Sequence, residues 1–160
     1  MSYITEVTIW PSAAAIKPEI QDLIRYFYVL ADTPDPETGK QYATDIFIPT
    51  GLMKGPFGLS DIYVGEAVLI CLEIQKSKLN AWKLFTSRRH RVKRVFVADE
   101  QGYDLMLIGE VELGLRNGRA VTNEFTCRML VDEASVNEGT PRLALSSVWS
   151  DTSGVMAALK

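Results

Sequence analysis

The residue best placed to do chemistry in this 160-residue chain is His90, the only imidazole in it. An imidazole exchanges its proton near neutral pH, so it can take a proton from a substrate and hand it back. Asp32 is the second candidate by position. It ends a helical stretch, where the helix dipole disfavours a carboxylate, so it needs another reason to be there; the plain alternative is a solvated turn residue or a cap for the next helix. Tyr28 lies one helical turn earlier on the same side. Glu124 and Arg128 share a strand face with Thr122, Thr126 and Leu130, while Val121, Asn123, Phe125, Cys127, Met129 and Val131 take the other. If the apolar set packs on helices, Glu124 and Arg128 lie outside; if the polar set faces inward, they are site candidates.

Other chemistries lack their residues. Gly51 to Gly58 has no Lys-Ser/Thr pair and opens no helix in the right place for a phosphate loop. There is no G-x-S-x-G elbow. One histidine without Cys or carboxylate spacing argues against a protein-held zinc ion. The expectation is a reaction without cofactor or metal.

The elements that must position these groups are legible in the pattern. Pro18 suits a helix N1 position, and Ile20, Leu23, Ile24, Phe27, Tyr28, Leu30 and Ala31 recur at spacings of three and four, predicting an amphipathic helix to about Ala31. Pro34 and Pro36 end it. Residues 2–11 read as a short strand or an arm. A second short helix is predicted over Glu37–Thr44, then a strand Asp45–Ile48, a turn at Pro49-Thr50-Gly51 and a return strand from Leu52. After a loop at Gly55–Gly58, a helix is predicted from Ile62 to about Leu84. Three strands follow at Arg88–Val97, Tyr103–Leu115 and Ala120–Val131, and a last one at Arg142–Trp149. Asn117-Gly118 between two alternating runs predicts a hairpin, with a type I′ turn. Alternation on the first of these strands groups His90, Val92, Arg94 and Phe96, and an inward Arg94 would need a carboxylate partner. The alternative for His90 is a structural imidazole bonded within the sheet.

This order is α+β: a cone-shaped, strongly curved antiparallel sheet wrapped around two or three N-terminal and central helices, with an internal cavity, in one domain over residues 1–160. Trp82, Phe85, Met53, Phe57 and Trp149 would wall that cavity, though each also suits a plain core position.

Bulk properties agree with a globular domain. The chain is 47% apolar and 23% charged, with net charge −3. That balance, with a pI near 5.2, argues against nucleic acid as the partner. The Arg88–Arg94 charges divide between two strand faces and read as a solvated face. Cys71 and Cys127 sit in apolar runs without metal-type spacing and suit buried thiols in a reducing compartment. The N-terminus carries no basic or apolar leader pattern, and Ile62–Ile74 is too short to span a bilayer. The expectation is a cytoplasmic protein that engages no membrane.

Five segments also carry a family likeness: Phe27–Asp32, Tyr42–Phe47, Arg89–Phe96, Asp104–Val111 and Trp149–Thr152. In order and spacing the chain resembles the nuclear transport factor 2-like superfamily, and within it the SnoaL-like polyketide cyclases and short fungal proteins of that group. The resemblance implies a cone with a ligand cavity, commonly a homodimer through the outer sheet face. It also implies either a cofactor-independent isomerase, cyclase or dehydratase acting on a small, mostly apolar natural product, or a non-catalytic ligand-binding or dimeric interaction domain. Scytalone dehydratase-like members use an Asp ending the first helix and a His opening the first long strand, which implies catalytic roles for Asp32 and His90. Those members use a second histidine that this chain lacks, which counts against dehydration. Tyr28, Met53, Phe57, Trp82, Glu124, Arg128 and Trp149 are the expected substrate contacts.

Overall fold

The computed structural model describes residues 3–12, 15–55, 76 and 82–160. Of the helix expected from Ile62, Lys76 is described and is helical, while residues 62–75 and 77–81 lie outside the described residues, as do the loop residue Phe57 and Cys71.

The first helix, α1, spans Pro18–Asp32 with Pro18 at its start, and the seven apolar residues picked out by spacing are the ones it buries. Thr33, held extended by Pro34, ends it and returns its N–H to the Leu30 carbonyl. The next helical stretch divides in two: α2, Thr38–Gln41, then one π-turn, Tyr42–Ile46. The wider turn lets Tyr42 send its hydroxyl back to the Phe27 carbonyl at 2.6 Å, tying this segment to α1.

The hairpin expected around Pro49-Thr50-Gly51 does not form. Phe47–Lys54 is one strand, β1. It lies at the sheet edge, where a proline costs no ladder bond, and a register shift between Phe47 and Leu52 absorbs Pro49. β1 pairs parallel with the last strand, so the sheet is mixed and not purely antiparallel. Four antiparallel strands complete it: β2 (Phe85–Val97), β3 (Asp104–Leu115), β4 (Ala120–Val131) and β5 (Leu143–Trp149), in the order β1-β5-β4-β3-β2. Residues 82–84 form a turn leading into β2, so the expected helix does not reach Leu84.

The β3–β4 hairpin forms where Asn117-Gly118 placed it, with a different turn. Gly118, at φ 83°, donates its N–H to Leu115, and Leu115 donates to Arg119. That is the three-residue loop with glycine in the left-handed position, not type I′. A short helix α3, Glu133–Asn137, capped by the Asp132 carboxylate, joins β4 to β5, and α4, Ser153–Ala158, follows β5.

The N-terminal segment is an arm. Its Ile4 carbonyl accepts from Val92, and Ile9 exchanges backbone bonds with Lys93 and Val95, covering the open edge of β2. One sheet face and α1 enclose the core; Leu105, Leu107, Cys127, Met129 and Leu143 are fully buried there. The other face is outward.

Candidate active site

Asp32 and His90 meet. α1 delivers Asp32 at its last residue, and β2 delivers His90 on the strand face that turns toward α1. His90 Nδ1 lies 2.5 Å from Asp32 Oδ1, and the His90 backbone N–H donates to Oδ2 at 2.7 Å. The arm adds a third bond, from the Tyr3 hydroxyl to Oδ2 at 2.7 Å. The carboxylate misplaced by helix electrostatics is thus held by three donors. Both side chains are nearly buried, at 9% and 5% exposure for His90 and Asp32.

Burial on its own raises the Asp32 pKa, because it disfavours the charged form. Hydrogen bonds from the His90 ring, its backbone N–H and the Tyr3 hydroxyl, together with the charge of the imidazolium whenever the ring is protonated, outweigh that and hold the carboxyl below its ordinary value. An ionised Asp32 facing Nδ1 keeps the ring proton there and places the imidazole lone pair on Nε2.

The ring is packed on two sides. Tyr28 lies tilted against it with centroids 5.0 Å apart, and Phe125 from β4 meets it edge-on at 5.6 Å. The Tyr28 hydroxyl is buried with no hydrogen-bond partner. Burial pushes its pKa well up, and it feels the Cys127 thiol without bonding to it in good geometry.

Several of the other candidate contacts lie away from this pair. In β4 the apolar set packs inward: Phe125, Cys127, Met129 and Val131 are buried. Glu124 and Arg128 are therefore outside. Arg128 donates two hydrogen bonds to the Asp104 carboxylate, at 2.9 and 2.7 Å, and Glu124 is 83% exposed, 3.7 Å from Lys93. Trp149 is also outward, 53% exposed. Met53 packs at the edge of the core, and Trp82 leads into β2. The outer face carries an open groove of about 850 Å³, lined by Ile108, Glu124, Thr126, Val148 and Trp149 among others.

His90 and Val92 point inward as expected, but Arg94 and Phe96 do not. The β2–β3 register shifts between Val92 and Arg94, so one extra residue flips the phase and Val95 becomes the buried one. Arg94 therefore needs no interior carboxylate; it lies over the exposed Phe96 ring.

Two residues of this neighbourhood were missed. Tyr3 sits in an arm with no periodic signal, and nothing in the sequence points to its bond with Asp32. The charges around Arg88 suit a solvated face, yet Arg88 stands two residues before His90, opposite buried Leu113, and so shares the inner face. The residue as a whole is half-buried, and its Nε is buried without a hydrogen-bond partner. The guanidinium lies 5.8 Å from the Trp82 ring centre.

No protein-family model and no curated protein sequence matches the chain. Solved structures do. TerC, co-crystallised with polyporic acid, aligns at TM-score 0.64 and 16% identity, over 89% of this chain and 98% of that one. A Bacillus cereus protein described as a polyketide cyclase aligns at 0.63 and 11% identity, over 97% and 91%. A nuclear transport factor 2-like protein from Salmonella enterica aligns at 0.57 and 15% identity, over 82% and 88%. The fold is nuclear transport factor 2-like. The curved five-stranded sheet, with α1 laid across its inner face, is the fold these structures share with the chain, and the resemblance of the sequence implied that fold. No helix among the described residues is long and apolar enough to cross a membrane.

Proposed function

We propose that the protein is a cofactor-independent acid–base catalyst of the SnoaL-like kind, an isomerase or cyclase acting on a small, mostly apolar natural product. The observation that carries this reading is the pair of hydrogen bonds between Asp32 and His90, reinforced by a third from Tyr3. A plain structural histidine needs one partner. Here the carboxylate fixes both the orientation and the tautomer of the ring, which a general base requires.

In the reaction so read, Nε2 takes a proton from a carbon beside a carbonyl, or from a hydroxyl. The imidazolium formed is stabilised by Asp32, and the same proton returns to the rearranged product, so nothing is oxidised or reduced. Relatives of this fold handle small molecules: TerC was crystallised with polyporic acid, and another relative is described as a polyketide cyclase. Tyr28 and Phe125 give the site an apolar, aromatic wall consistent with such ligands.

The test is turnover of polyketide-like and terpenoid-like ketones. With a substrate so found, His90→Ala and Asp32→Asn should each lose about 10²- to 10⁴-fold in rate while staying folded. Undiminished rates in both variants would refute the reading.

The outer sheet face supports a second element, a homodimer. Phe96, Ile108 and Trp149 are large apolar side chains exposed on it. Around them runs a ladder of Arg91 with Glu110 and Glu112, and Lys93 with Glu110. An apolar centre with a mixed-charge border suits a second copy of the same face.

A further inference from the structure

We propose that Arg88 is the anion-recognising residue of the interior site, and that the molecule on which His90 acts presents a negatively charged oxygen to it. The proposal rests on the acid–base reading above and adds the substrate class: a compound with a carboxylate, or with an enolate that develops as His90 removes a proton.

Arg88 and His90 are alternate residues of one strand, so they share its inner face about 7 Å apart. A small molecule in reach of Nε2 is then also in reach of the guanidinium. Arginine keeps its charge at any ordinary pH, and a buried charge without a partner strongly destabilises the fold. Yet among the described residues no carboxylate pairs with Arg88, and its Nε makes no hydrogen bond. Asp32 offsets it only from a distance, since that carboxylate is set chiefly by His90 and Tyr3. The hydroxyl of Tyr42, the other group close enough to influence Arg88, is already given to Phe27.

A second orphan points the same way. The Tyr28 hydroxyl is buried, packs beside His90 and donates to nothing. The interior around His90 thus holds a donor without an acceptor on α1, the Tyr28 hydroxyl, as well as the one on β2, the Arg88 Nε. A carboxylate or enolate oxygen supplies the missing acceptor, and charge-assisted bonds of this type are the strong ones. The planar guanidinium, backed by the Trp82 ring, suits a flat acceptor group.

The test compares 2-naphthoate, 4-nitrophenol and the neutral 2-naphthamide by calorimetric titration into the wild type, Arg88→Lys and Arg88→Gln. We expect at least one anion to bind about tenfold or more tightly than the amide, the preference to vanish in Arg88→Gln and to survive in part in Arg88→Lys. Preference for naphthoate assigns a carboxylate carried by the substrate; preference for nitrophenolate alone assigns a developing enolate. Thermal unfolding of Arg88→Gln should show a stability equal to or above the wild type, since an unpaired buried charge is removed. In the wild type, the Arg88 Nε–Hε resonance should move on adding the preferred anion, a reading that does not depend on any variant folding. No preference for either anion, a preference that persists in Arg88→Gln, or an Nε–Hε resonance indifferent to the anions would overturn the proposal. Loss of turnover in His90→Ala alongside any of those results would leave the acid–base reading standing and remove only Arg88 from it.

Discussion

The Asp32 carboxylate receives both the ring Nδ1 and the backbone N–H of His90, one on each oxygen. Because the backbone bond belongs to strand β2, the carboxylate is aligned by the sheet as well as by the side chain it serves. The ring has little freedom to turn away from it.

That pairing has a consequence for stability against pH. The Asp32 carboxyl is pushed up by burial but held lower overall by His90 and Tyr3, whereas in the unfolded chain it titrates near about 4. A depressed folded pKa contributes stability that is present above the unfolded value and is lost as pH falls through the folded one. We expect the wild type to be more stable than Asp32→Asn at neutral pH, by about 1–3 kcal/mol, and the gap to narrow below about pH 4. Denaturant unfolding at a series of pH values measures it; a gap independent of pH would contradict the ionised pair.

Tyr3 acts on the site through Asp32. Tyr3→Phe removes one of three bonds to the carboxylate and should cost about 1 kcal/mol in stability. Turnover should fall far less than in Asp32→Asn, because the two His90 bonds remain. A loss as large as that of Asp32→Asn would mean that the tyrosine hydroxyl itself takes part in the chemistry.

Gly109 is where the sheet makes room for the aromatic wall. A Cβ there would lie 2.5 Å from the Phe125 ring and 2.6 Å from the Arg91 carbonyl. Since Phe125 packs edge-on against His90, Gly109→Ala should both destabilise, by about 1–3 kcal/mol, and disturb the imidazole. Thermal unfolding and the histidine ring shifts would show the two effects together; a neutral substitution would mean that Phe125 can relax without touching His90.

Much of this was legible in the chain. The seven buried residues of α1 follow from their spacing alone, and β4 starts and stops where the alternation does. Asp32 was visible as a carboxylate at the wrong helix end, and the resemblance paired it with His90. What failed was whatever a local pattern cannot encode. Pro49-Thr50-Gly51 has turn chemistry, but tertiary pairing with β5 at a sheet edge overrides it. The phase flip after Val92 depends on a bulge that period-two counting does not see. Glu124 and Arg128 could be placed only once the helices had chosen a face of β4. Arg88 was hidden by its own charge, although its spacing from His90 already set it on the inner side.

Cys127 should be chemically silent. Burial pushes its thiol up to about 11, so almost no thiolate exists at neutral pH. We expect peptide mapping to find Cys127 unmodified after maleimide treatment of the folded protein and modified after denaturation. Rapid native labelling would mean that the interior opens often.

Trp149→Glu on the outer face should leave the fold intact, because half of that side chain is already in contact with solvent. If the face joins two copies, sedimentation should show a dimer for the wild type and a monomer for the variant. A monomeric wild type at high concentration would remove the dimer.

The most direct test of the acid–base reading uses the fact that the chain has one histidine. Long-range proton–nitrogen spectra of ¹⁵N-histidine-labelled protein report which ring nitrogen carries the proton, with no assignment needed. We expect Nδ1 to be protonated and Nε2 to carry the lone pair in the wild type, and the mixture of tautomers to change in Asp32→Asn. A proton found on Nε2 at neutral pH, or a spectrum unchanged by Asp32→Asn, would contradict a base poised by Asp32.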